Sequence, residues 1–281
     1  HPDGQIDEEV YVTGSFVQSK MFHKGIKCVD CHDPHTAKTL AKGNALCVRC
    51  HVPKPENPTL YDSPTHHFHQ AGTKGAMCVE CHMPEKTYMV VDPRRDHSIR
   101  VPRPDLSVKL GTPNACNICH TDQSNQWSTD AIEGWYGLDR TSAPHFGTAI
   151  HAGRQGLPGA AEALRRLADN PVIPPIVRAT AFSLLERDFT PESLVVVRRA
   201  LTDPDPLVRA AAVSTLGSVQ TEARSELVVP LLTDPVRAVR LEAARVLAGV
   251  PLDRLSDGQR VTLTRTLEEY RVSQLTNVDR A

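Results

Sequence analysis

Nowhere in its 281 residues does the chain contain 18 consecutive apolar residues, so no segment is long enough to cross a bilayer as a helix. Nor does one charge dominate. Lys and Arg number 32 against 33 Asp and Glu, a net charge of −1, which removes the electrostatic case for nucleic acid or an anionic membrane face. The opening residues, His1-Pro2-Asp3-Gly4, hold neither a basic stretch nor an apolar one, so no signal peptide stands there. Cysteine is absent after residue 119 and histidine after residue 151, which leaves residues 152–281 without soft or imidazole metal ligands. Methionine is scarce, with only Met21, Met77, Met83 and Met89.

All eight cysteines fall into four blocks: Cys28-Val-Asp-Cys31-His32, Cys47-Val-Arg-Cys50-His51, Cys78-Val-Glu-Cys81-His82 and Cys116-Asn-Ile-Cys119-His120. Each is Cys-x-x-Cys-His, the attachment signature of c-type haem. Two thiols form thioethers to the vinyl groups of one haem, and the adjacent imidazole becomes the proximal iron ligand. Paired Cys-x-x-Cys knuckles also bind zinc, but a zinc knuckle does not require histidine after its second cysteine, and neither does a disulfide. The expectation is four haem c groups, with His32, His51, His82 and His120 proximal. Residues 1–125 offer about 30 residues per haem, too few for each segment to build a core from side chains alone. The macrocycles are expected to supply the apolar interior. Because c-type haem is attached outside the cytoplasm, the chain is expected to be processed or partial.

Nine histidines lie outside the motifs, enough to fill four distal positions; Met77 and Met83 sit too close to their own motif to reach over its haem easily. Bis-histidine ligation throughout is expected, with low potentials as its consequence. The distal candidates are His35, in Cys-His-Asp-Pro-His; His97, in Arg-Arg-Asp-His-Ser; His69 or His67, from the cluster His66-His67-Phe68-His69; and His23, five residues before the first motif. His35 is expected to ligate a neighbouring haem, since His32 and His35 lie about one helical turn apart. Arg94, Arg95, Arg100 and Arg103 could pair with haem propionates or form a solvated basic loop. His145 and His151 are weaker ligand candidates.

Residues 127–136 read as a short helix with Trp127, Ala131 and Trp135 on one stripe; a plain core helix is the favoured reading, and a cover over the fourth haem the other. The second half then repeats. Val177-Arg178, Val208-Arg209 and Val239-Arg240 recur at 31-residue steps, each Val followed by Ala four and Leu eight residues later. That stripe is one face of a helix, and its small Ala permits close helix approach. Asp203-Pro204 and Asp234-Pro235 are expected to mark the turns between paired helices, with Asp suited to N-caps and Pro to the first helical position, and Thr190-Pro191 should open another helix. Pro230 should kink its helix. The fold expected is therefore a mostly irregular and α-helical tetrahaem cytochrome c domain at 1–126, a linker with a short helix at 127–155, and an all-α HEAT-like solenoid at 156–281.

The four motifs, with Cys-His-Asp-Pro-His at 31–35 and Cys-His-Met-Pro at 81–84, resemble the multihaem cytochrome c superfamily that includes the nitrite reductase relatives. The order of Met89-Val-Val-Asp-Pro-Arg-Arg-Asp-His97, Thr112-Pro-Asn-Ala-Cys-Asn-Ile-Cys-His120 and then helical repeats is similar to large bacterial multihaem proteins that carry tetratricopeptide-like repeats. The tail 269–281 looks like the edge of another repeat. The resemblance implies bis-histidine haems, a His97-type distal ligand and a periplasmic or outer-surface location. The Cys-x-x-Cys-Lys motif of the nitrite reductases does not occur, which weighs against nitrite reduction. Three functions follow. The first is electron transfer to redox partner proteins, without catalysis. The second is a subunit of an oxidoreductase acting on a small nitrogen or sulfur compound. In the third, the repeats drive self-association into a filament or larger cytochrome complex.

Overall fold

Proline, glycine and the four cysteine blocks interrupt every apolar period before residue 120, so helices there stay short. A computed structural model, which describes residues 1–7 and 11–276, divides the chain into two compact units, His1–Gly147 and Thr148–Ala281. The first unit holds α1 (Thr13–Phe16), α2 (Lys20–His23), α3 (Ala45–Val48), α4 (Pro64–His67), α5 (Cys78–His82), a hairpin of β1 (Glu85–Tyr88) and β2 (Asp92–Arg95), then α6 (Pro104–Leu110), α7 (Cys116–Cys119), α8 (Asn125–Tyr136) and α9 (Asp139–Ser142). The two strands pair antiparallel, with Glu85 opposite Arg95 and Tyr88 opposite Asp92. The division falls within α10 (Phe146–Gln155). The short helix expected in the linker belongs to the first unit, where Ser124 caps α8 and α8 packs on α6 with Leu106 and Ile132 buried.

The tryptophan stripe of α8 is not its buried face, against the favoured core reading. Ser128, Thr129 and Ile132 are buried, while Trp127 and Trp135 are each 37% exposed. The two indoles turn instead toward histidines. Trp127 lies 4.9 Å from the His120 ring, and Trp135 lies edge-on 6.5 Å from the His69 ring and stacks on Phe68 at 4.6 Å.

The second unit is built of α11 (Ala160–Asp169), α12 (Pro175–Leu185), α13 (Pro191–Ala200), α14 (Pro206–Thr215), α15 (Thr221–Val228), α16 (Arg237–Leu247) and α17 (Asp257–Leu275). The periodic stripe is its core. Val177, Ala181 and Leu185, Val208, Ala212 and Leu216, and Val239, Ala243 and Leu247 are all buried where α12, α14 and α16 stack in order. Each buried Val or Leu contributes about 1.5–3 kcal/mol relative to an exposed one. Thr190 caps α13 with Pro191 in its first turn, as expected. Pro230 ends the α-helix: α15 stops at Val228 and the chain continues as a 3₁₀ turn over Val229–Thr233.

Two helix starts differ from the sequence reading. The cap of α14 is Asp205, whose carboxylate accepts from the Leu207 N–H at 2.8 Å, with Pro206 and not Pro204 in the first turn. Helix α16 begins after Val236, two residues beyond Asp234. Asp203 and Asp234 have another task, forming a ladder between repeats. The Arg178 guanidinium donates to Asp203 at 2.7 Å, and Arg209 donates to Asp234 through two nitrogens at 2.8 and 2.9 Å. Arg240 continues the pattern onto Glu269 at 3.6 Å. Arg209 and Arg240 also donate to the carbonyls of the preceding turn, Asp203 and Pro204 in one case and Asp234 and Pro235 in the other. The end of the tail read as a further repeat, residues 277–281, lies outside the described residues.

Candidate functional site

Each Cys-x-x-Cys-His block forms one turn closed by a backbone bond from its histidine to its first cysteine. His32 donates to Cys28 at 2.9 Å, His51 to Cys47 at 3.0 Å and His120 to Cys116 at 2.9 Å, while Cys78–His82 is helix α5 itself. A turn of this pitch puts residues i, i+3 and i+4 on one face. The two thiols and the imidazole of each block therefore point the same way, as attachment of one macrocycle requires. All eight thiols are free, and none is fully buried.

Consecutive motifs are neighbours. Cys31 lies within electrostatic reach of Cys47 and Cys50, and Cys81 within reach of Cys116 and Cys119. The Cys47 and Cys78 thiols lie close enough to interact, which draws the Cys47 pKa down to about 7 and pushes that of Cys78 up. Asn44 makes this junction. Its side chain donates to Asp62 and to the Ala76 carbonyl at 2.8 and 2.9 Å, and its oxygen accepts from the Cys78 N–H at 2.9 Å. Burial raises the Cys81 thiol to about 11.

Three of the four motif histidines face a second imidazole contributed by a distant part of the sequence. His32 and His97 have ring centres 6.3 Å apart, His82 and His66 6.2 Å apart with planes within 5°, and His120 and His69 6.1 Å apart. These separations are too long for face-to-face packing and match a shared metal. Two metal–nitrogen bonds of about 2 Å and two ring radii of about 1.1 Å place trans imidazole centres about 6.2 Å apart.

Proton positions agree with ligation through Nε2. A carbonyl can only accept, so an Nδ1 against a carbonyl carries the hydrogen, and in the neutral ring Nε2 is then bare. That holds for His32 on Ala37 at 2.8 Å, His82 on Arg100 at 2.7 Å, His97 on Arg95 at 2.9 Å, and His69 on His67. Such outer bonds fix the ring and raise its basicity as a ligand. Burial lowers the His82 and His66 pKa values below the usual imidazole range, favouring the neutral form that can bind metal. The donor set therefore fits haem iron at these three places.

The cluster 66–69 is sorted by one backbone reversal. Phe68 caps α4 in the left-handed region at φ 55°, a conformation uncommon outside glycine, and its ring is held against Trp135. His66 and His69 consequently face different motif histidines. His67 does not face a motif histidine. Its Nδ1 accepts from the His69 N–H at 3.2 Å, which puts the neutral-ring hydrogen on Nε2, the nitrogen a ligand needs bare. Of the two alternatives in the cluster, the structure brings His69 to a motif and adds His66, which the sequence reading did not single out. His35 stays on an exposed turn with its N–H on the Asp33 carboxylate, and the His23 ring lies against Phe22. Neither is brought to a motif histidine. His145 accepts from the Gly147 N–H, and burial takes its pKa down to about 4.

The four arginines expected near propionates are engaged with the chain's own carboxylates. Arg94 pairs with Asp92 and Arg95 with Glu80, each at 2.7 Å; Arg100 pairs with Asp3 at 2.8 Å and Arg103 with Asp105 at 2.7 Å. Arg100 links two sites, since its carbonyl holds His82 while its guanidinium is anchored on buried Asp3. Among the described residues no helix is long and apolar enough to cross a membrane.

Comparison with known proteins gives two matches. Residues 20–56, spanning the first two motifs, match the family described as doubled CXXCH motif, and residues 173–248 match HEAT repeats. No curated protein matches, and no solved structure does. The matches support covalent c-type haem binding in a multihaem-like cytochrome that carries HEAT repeats.

Proposed function

We propose that this chain carries four covalent haem c groups, one per motif, and serves as an electron-transfer protein. The observation that carries the reading is the set of three imidazole pairs at 6.1–6.3 Å. His97 would be the distal ligand opposite His32, His66 opposite His82, and His69 opposite His120. Bound haem supplies a one-electron ferric/ferrous couple. The chain's own residues do the rest. The cysteine pairs hold each attachment edge, and Ala37, Arg100, Arg95 and His67 orient the imidazoles through their carbonyls. The adjacency of Cys31 with Cys47, Cys47 with Cys78, and Cys81 with Cys116 supports a row of haems in motif order. Imidazole on both faces sets potentials lower than methionine would.

HEAT repeats commonly mediate protein interactions, and the second unit is read here as the surface for redox partners or for self-association. A periplasmic or outer-surface location follows from the attachment chemistry and the resemblance. The test is a spectroelectrochemical titration of the purified protein. Reversible reduction with c-type α-bands and four electron equivalents is expected. Release of zinc on denaturation, with no iron, would overturn the reading.

A further inference from the structure

His51 differs from the other motif histidines. Its ring neighbour is Tyr61, edge-on at 84° and 5.7 Å between centres, and among the described residues no imidazole faces it. Tyr61 is not the missing trans ligand. A phenol oxygen lies outside its ring, so a ligating tyrosine would sit farther from His51 than an imidazole does. Tyr61 sits closer than the 6.1–6.3 Å of the three pairs, and its hydroxyl accepts from Asn57 at 2.7 Å. Its other edge abuts His66 at 5.1 Å, so Tyr61 is a spacer between the His51 ring and the pair at His82. Of the six remaining histidines, His151 belongs to the second unit, and five lie in the first. His23 is against Phe22, His35 is on its exposed turn, His67 and His145 accept backbone hydrogens at Nδ1, and the His1 Nε2 faces Asp7 at 3.4 Å. The Met77 methyl group packs over Gly43. Residues 51–60 are exposed throughout, so solvent reaches this motif more readily than the half-buried third one.

Resting on the four-haem reading above, we propose that the haem attached at Cys47 and Cys50 is five-coordinate, with His51 as its one protein ligand, and that its open face takes a small exogenous ligand of the carbon monoxide class. Three irons held between imidazoles would resist such a ligand, because it must first displace a histidine fixed by an outer hydrogen bond.

The experiment uses the full chain, shown by intact mass to hold four haems, so that loss of the haem reading is seen before any ligand is added. Carbon monoxide is titrated into the reduced protein and followed by absorbance. One equivalent per chain is expected, with a high-spin ferric signal from one iron in four before reduction. His97→Ala and His69→Ala should each raise the uptake to two. Cys47→Ser/Cys50→Ser, lacking that haem alone, should take up none. If that variant does not mature, the stoichiometries of the histidine variants and the wild-type spin count still decide. A four-haem chain that is low-spin throughout and takes up no carbon monoxide would overturn the proposal. So would uptake appearing only in His35→Ala, His23→Ala, His151→Ala or Met77→Ala, or uptake that persists without the second haem.

Discussion

The two units solve the burial problem in opposite ways. Among the described residues of Thr148–Ala281, 29 apolar side chains are buried against four polar or charged ones; among those of His1–Gly147 only six apolar side chains, Pro104 included, are buried against 13 polar or charged ones. A unit whose buried side chains are mostly Asp, Ser, Thr and Asn gains little hydrophobic stabilisation of its own. On the proposed reading, covalently attached haem groups would supply the apolar mass that its side chains do not. The repeat unit needs no such help. Its Val, Ala and Leu stripes close on one another, and Arg178, its one buried arginine among the described residues, is paired with Asp203.

The largest effect should therefore come from withholding haem. Produced without haem attachment, the chain should lose protection across residues 1–147 while 148–281 stays helical and exchanges slowly; hydrogen exchange read by peptide is the measurement. Equal loss in both halves would erase the contrast. Next in size is the repeat core. Phe182 is fully buried, and Phe182→Ala should cost the second unit about 3–5 kcal/mol in denaturant melts without altering the haem spectrum.

The Arg–Asp ladder should matter somewhat less. Asp234→Ala leaves Arg209 largely buried without its partner, at a cost of about 3 kcal/mol. Burial alone would raise the Asp234 pKa, but hydrogen bonds from Arg209 and the Val236 N–H and the charge of Arg240 outweigh it and hold the value below the usual 3.8. A depressed folded pKa means the contribution is full above the unfolded value and is lost as pH falls through the folded one. Acid melts of the repeat unit should show this loss below the carboxylate range, and Asp234→Asn should flatten it.

The smallest effect on stability, yet the sharpest on the haem half, is expected at Gly75. A Cβ there would sit 2.2 Å from the His69 ring, so Gly75→Ala must move that imidazole. One additional iron should turn high-spin with little change in melting temperature, as read by ferric electron paramagnetic resonance.

The same contrast decides what could be read from sequence. The 31-residue step and its Val-Ala-Leu stripe are local and periodic, so the repeat core was legible residue by residue. The arginine of each step was visible, but its partner lies 25 residues on, outside the period, so Asp203 and Asp234 read as caps. In the first unit the motifs are local and were legible, whereas the imidazoles that face the motif histidines come from distant parts of the chain. His97 stood out as an isolated histidine between motifs. His66 was hidden among three near neighbours, because only the left-handed Phe68 and its Trp135 contact separate His66 from His69. His35 attracted notice through Cys-His-Asp-Pro-His, but the turn after His32 folds back on Asp33 and leaves it exposed. The role of Trp127 and Trp135 went the same way: a stripe spaced for a core helix faces histidines instead.

The central claim, that four motifs hold four haems and complete the first unit, is tested most directly by the intact mass of the denatured protein. The account predicts the mass of the chain plus four covalently attached haem groups. A mass equal to the bare chain, or to the chain with haem only at the doubled motif of residues 20–56, would contradict it.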